Sequence, residues 1–177
     1  MLGPEDWVPL AVVARPHGVR GELRLKLYNE DSNLLLTQEE VLVKLADGES
    51  HEVSIDTARR ANEAILLKLF SVDDRDRAEE LRGAEICLKR GAFPALGDGE
   101  FYACDIQGAR AEMLDGTLVG TVRDMIEYPA ATVLVVEGDM GVIELPLTDA
   151  YVKQVDAAAS LVSVVSIEGL EPSRSRA

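Results

Sequence analysis

Aromatic residues are scarce in this chain of 177: one Trp, four Tyr and three Phe. Any core must therefore be aliphatic, and the apolar residues are mostly Val, Leu, Ala and Ile in short runs, the composition of packed strands. No run approaches the roughly 20 apolar residues that a membrane-spanning helix needs. Thiols and imidazoles are equally few. Cys87 and Cys104 are too sparse for a disulfide framework, and with His17 and His51 as the only imidazoles a metal cluster is not expected. Both cysteines read as buried thiols. GxGxxG, the P-loop, HExxH, the nucleophile elbow and a Cys beside a His are all missing, and no cofactor is implied. Positive charge is the last shortage, with 18 Lys and Arg against 32 Asp and Glu, a net charge of −14. Residues 1–97 hold 13 basic and 18 acidic side chains, net −5, whereas 98–177 hold 5 and 14, net −9. An acidic surface repels phosphate, so the C-terminal half is expected to meet a basic protein rather than nucleic acid. Glu5 and Asp6 precede any apolar stretch, which is not the shape of a signal peptide, and a cytoplasmic location is expected.

What is present begins with short strands. VPLAVVAR at 8–15 reads as a buried strand, and ELRLKLY at 22–28 alternates Leu23, Leu25 and Leu27 with polar residues, as a half-exposed strand does. Between them lies PHGVRG, where Pro16 stiffens the chain and Gly18 and Gly21 permit positive φ. Arg15, Arg20, Arg24 and Lys26 surround it, the densest basic patch in an acidic protein. Residues 29–38 read as a mixed loop with a helical turn over Leu34 to Leu36. A hairpin follows, 41–46 and 52–59, with a type I′ turn expected at Asp47-Gly48. Residues 64–70 form a strand, and DDRDRAEELRG a helix capped by Asp73 and stopped at Gly83, before a strand over 84–89. RGAFPALGDGE has linker composition. Beyond it GEFYACDIQG opens a second run of five strands, 109–113, 118–126, 132–137, 142–145 and 161–165. Residues 148–154 read as a helical turn and EPSRSRA as a mobile tail. The expected fold class is all-β: two small antiparallel β-barrels joined by a short linker, with one short helix in the first. The expected boundaries are 1–90, a linker at 91–99, 100–172, and a mobile tail at 173–177.

Few residues offer chemistry. Asp105 with Asp115, or Asp73 with Asp74, could form a carboxylate pair, but turn and cap roles suit them better. His17 could be a general base, yet in a glycine loop without a nucleophile a backbone-shaping role is the better fit. The basic loop admits two readings, contact with RNA phosphates or plain solvation. Phe101 and Tyr102 could plug a core or present a surface. If they sit in a strand they face opposite ways, with Tyr102, which keeps a polar handle, turned outward to a partner and Phe101 holding the strand.

The ordered motifs ARPHGVRGELRLK, VDDRDRAEELRGAEI, FYACDIQG, LVGTV and VLVVEG, spread from about Val8 to Leu170, resemble those of the ribosome maturation factor RimM family. The resemblance implies an N-terminal barrel related to those of translation factors and a C-terminal PRC-type barrel. It also implies a non-enzymatic protein that binds the immature small (30S) ribosomal subunit and assists 16S rRNA processing and head assembly. The partner it implies is a basic head protein, ribosomal protein number nineteen of the small subunit, bound chiefly through the PRC domain. The family's aromatic pair implicated in subunit binding falls on Phe101 and Tyr102, where many members have Tyr-Tyr. A direct rRNA-binding module using Arg15, His17, Gly18, Arg20, Gly21 and Arg24 is the alternative, and an enzyme with a carboxylate site between the barrels a third.

Overall fold

The computed structural model describes residues 2–97 and 99–173. Two compact units divide between Pro94 and Ala95. Among the described residues no helix is long and apolar enough to cross a membrane.

The first unit contains β1 (Trp7–His17), β2 (Glu22–Leu27), β3 (Glu40–Lys44), β4 (Ser50–Ala61), β5 (Ala64–Leu69), helix α1 (Arg75–Glu80) and β6 (Glu85–Lys89). They close a barrel in the order β1-β2-β5-β4-β3-β6. Alternation puts Leu23, Leu25 and Leu27 inside, with Leu67 opposite Leu23 and Ile65 opposite Leu25, all buried. Each such side chain contributes about 1.5–3 kcal/mol on leaving water. A 3-10 turn at Leu34–Thr37 buries Leu35, and Arg60 holds the preceding loop by donating to Glu30 O, Ser32 O and Asn33 Oδ1.

Two local expectations are corrected here. Asp74, not Asp73, caps α1, accepting from the Arg77 N–H at 2.9 Å, while Asp73 pairs with Lys68 at 3.0 Å. The Asp47-Gly48 turn is not type I′, since only Gly48 has positive φ. Gly48 N–H donates to Leu45 O and Leu45 N–H to Glu49 O, with Asp47 Oδ1 accepting from Glu49 N–H, the pattern of a type I turn closed by a glycine bulge. Residues 113–117 repeat these bonds around Asp115 and Gly116.

The second unit contains a four-residue helix, α2 (Ala103–Ile106), then β7 (Arg110–Met113), β8 (Leu118–Tyr128), β9 (Ala131–Gly138), β10 (Gly141–Pro146), β11 (Val152–Asp156) and β12 (Leu161–Val164). The sheet order is β10-β9-β8-β7-β12-β11, antiparallel except for β12 beside β7. Ile106, Ala111, Val122, Leu134, Val136, Leu145, Val162 and Val164 form its core. There are six strands rather than five: Val152–Asp156, whose first three residues were expected in a helical turn over 148–154, pairs with β12 and buries Val152. Nor is the tail free from residue 173, because Ser173 and Val142 exchange two backbone hydrogen bonds that satisfy the backbone groups of these two residues. The rest of the expected tail, 174–177, lies outside the described residues.

Candidate functional site

The basic patch is built by a bulge. In the register of β1 against β2, Val13 faces Leu25, and the next partners are Arg15 and Arg24, so Ala14 is the extra residue. Without that insertion Arg15 would oppose Leu23 and point into the barrel. The bulge instead sets Arg15 directly beside Arg24 on the outer face, an arrangement of like charges that is unfavourable for stability. Across β5 and β4 the same row continues through Leu66 to Arg59. Arg59 was not singled out from sequence, because only the register of three strand pairs places it there. It differs in kind from the others, being held by Glu22 at 3.1 Å.

At the loop, Gly18 and Gly21 adopt φ of +67° and +79°. Gly21 is buried against the backbone of Val72, so the loop is fixed at one end, while Val19 and Arg20 stand exposed at its tip. His17 is half-buried opposite Glu22. Arg15, Arg20, Arg24 and Lys26 make no ion pair among the described residues, whereas Lys44, Arg59, Lys68, Arg82, Lys89, Arg110 and Arg123 each find a carboxylate. In a protein with 32 acidic residues, four neighbouring cations left uncompensated form a patch able to take anions from outside.

Phe101 and Tyr102 are not in a strand. They lead into α2, where Tyr102 N–H donates to Asp105 Oδ2 at 3.4 Å and Asp105 N–H to Tyr102 O at 2.9 Å. They are therefore not held to opposite faces of a sheet, and both residues are half-buried. Phe101 packs on the core of the second unit, leaving Tyr102 at the start of the helix. The signal that marked α2 was Asp105 three residues after Tyr102, obscured because Tyr is not an ordinary capping residue.

The carboxylates considered for acid–base chemistry have local duties. Asp105 closes α2, Asp74 caps α1 and Asp73 holds Lys68. Asp115 accepts from Thr117, whose side chain and N–H hold its carboxyl below the usual range. Cys87 is buried and Cys104 half-buried.

Two family models match this chain: the RimM N-terminal domain over residues 8–93 and the RimM PRC barrel domain over 103–170. Phe101 and Tyr102 lie just ahead of the second match. A ribosome maturation factor RimM of Sorangium cellulosum (strain So ce56) is 50% identical over 165 residues, covering 93% of this chain and 97% of its own. Another, of Rubrobacter xylanophilus (strain DSM 9941 / JCM 11954 / NBRC 16129 / PRD-1), is 36% identical over 154 residues, covering 87% and 91%. A crystal structure of a putative 16S ribosomal RNA processing protein RimM from Pseudomonas aeruginosa is 25% identical with a TM-score of 0.47, covering 91% of this chain and 98% of that one. With both domain models matched in order and half the residues shared with a full-length relative, the chain belongs to the RimM family.

Proposed function

We propose that this protein is a cytoplasmic, non-catalytic ribosome maturation factor that binds the immature small subunit and assists 16S rRNA processing and head assembly. The observation that carries this reading is the 50% identity, across nearly the whole of both chains, to a protein named ribosome maturation factor RimM. The acidic C-terminal unit favours a basic protein as its partner, and small-subunit ribosomal protein number nineteen is the one proposed. Binding works by differential affinity, stabilising one arrangement of the head and releasing another.

Phe101 and Tyr102 are the proposed contact. Because Phe101 packs on the core, its truncation also costs stability, so Tyr102→Ala is the cleaner variant. Co-sedimentation of the folded Tyr102→Ala protein with immature small subunits is expected to fall at least tenfold, and undiminished co-sedimentation sinks the role of this residue. A second contact, of Arg15, Arg20 and Arg24 with rRNA phosphates around the His17, Gly18 and Gly21 loop, is favoured by their lack of ion pairs. It predicts binding to bare rRNA that weakens steeply with salt.

A further inference from the structure

We propose that the free edge of β10 receives an extended basic segment of a partner protein as an added strand. The inference rests on the reading that the acidic unit binds a basic protein, and it names where and how.

β10 is an outer strand of its sheet. Val142 donates to Ser173 O at 2.9 Å and accepts from Ser173 N–H at 2.8 Å, so its backbone groups point away from β9. By the two-residue period of a strand, those of Glu144 point the same way. Among the described residues the Glu144 N–H and C=O meet no backbone partner beyond that edge. Gly141 makes the Ser173 rung possible, since a Cβ there would lie 2.6 Å from Ser173 O.

The rung at Val142 is not followed by a second. A continued antiparallel ladder would set Glu171 opposite Glu144, and like charges directly opposed are unfavourable. The two segments part instead around a cleft of about 420 Å³ lined by Val142, Glu144, Gly169, Leu170, Glu171 and Ser173. Neither carboxylate has an ion pair among the described residues, and Glu144 is met only by the Tyr128 hydroxyl, at 3.4 Å. The cleft thus combines a vacant donor–acceptor pair on a strand edge with two uncompensated negative charges. An extended segment with Lys or Arg at alternate positions satisfies both, its backbone taking the Glu144 rung and competing with Ser173 for Val142, its cations meeting Glu144 and Glu171.

The test uses the full chain, isotopically labelled and titrated with a peptide alternating Lys and Val, against one alternating Glu and Val. The Lys peptide is expected to shift the amides of Val142, Glu144 and Ser173 and to bind more weakly as salt rises. The Glu peptide is expected to shift none of them. Proline is tolerated where an edge N–H faces outward, so Glu144→Pro should keep the sheet and lose at least tenfold in affinity. Glu144→Gln with Glu171→Gln should keep the rung, lose severalfold and flatten the salt response. Shifts mapping elsewhere, equal binding of both peptides, or full affinity in a folded Glu144→Pro protein overturns the proposal. Should that variant misfold, exchange of the Glu144 amide in the wild type decides: slowing of tenfold or more with saturating Lys peptide supports the added strand, and unchanged exchange overturns it. Glu144→Pro that still co-sediments with immature subunits, where Tyr102→Ala does not, overturns this inference alone. Failure of the wild type to co-sediment overturns the functional reading, while the peptide titration still judges the edge.

Discussion

Replacing Gly21 with alanine should destabilise the N-terminal unit several times more than the same change at Gly18, three positions earlier in one loop. Both have φ that alanine adopts at a cost of about 1–2 kcal/mol. The stiffer unfolded chain returns about 0.4–1 kcal/mol. At Gly18, where a Cβ would meet nothing within 4 Å, the net loss is about 0.5–1 kcal/mol. At Gly21 the Cβ would lie 1.9 Å from the carbonyl oxygen of Val72 and 2.6 Å from its carbon. That carbonyl cannot swing aside freely, because the Lys68 ammonium donates to it at 2.5 Å and to Asp73 at 3.0 Å. Overpacking adds about 1–3 kcal/mol, for a total of about 2–4 kcal/mol. Trp7 is the chain's single tryptophan and lies in β1, so its fluorescence follows this unit during urea unfolding. With a slope of about 1–2 kcal/mol per molar urea, the midpoint should fall by about 0.3–1 M for Gly18→Ala and by about 1–4 M for Gly21→Ala. Equal shifts would refute the claim that contact with Val72 fixes the loop.

Two further outcomes are expected. Asp74→Ala should cost about 1 kcal/mol in the same Trp7 assay through the lost cap, while Asp73→Ala, whose carboxylate is 80% exposed, should stay within about 0.5 kcal/mol. Burial first, and Glu85 second, push the Cys87 thiol up to about 11, so in native protein near pH 8.5 a thiol reagent should label Cys104 well before Cys87. Because this pKa is raised by folding, the stability it contributes is intact below pH 9 and lost as pH climbs towards 11. The Trp7 midpoint should fall across that window, and equally fast labelling of both cysteines would contradict the buried placement.

Much of the architecture was legible because the period-two pattern is strong where one face is buried, as at Leu23, Leu25 and Leu27. The Leu34 turn and α1 were marked by an apolar cluster and by acids at a helix start. What escaped depends on partners distant in sequence. Val152–Asp156 has little pattern of its own and becomes a strand by pairing with β12. The turns at Gly48 and Gly116 turned on whether the aspartate before each glycine shares its positive φ, and neither does. At the site, composition revealed the cluster of cations, but the bulge at Ala14 that turns Arg15 outward follows only from the register. Phe101 and Tyr102 were found as a pair, and their division of labour depended on a four-residue helix whose first turn is closed by Asp105.

Each unit joins an early strand to a late one: Trp7 of β1 lies beside Lys89 of β6, closing the barrel, and Arg110 of β7 beside Leu161 of β12, in the middle of the second sheet. Such pairings require the loop entropy of the intervening chain to be overcome before they form, which slows folding. During synthesis, then, the N-terminal barrel can close once residues near 89 have emerged, but β7 has no neighbour on its β12 side until residues near 164 are made. The second sheet consequently stays divided at β7 until β12 has been made, well after the N-terminal barrel has all its strands.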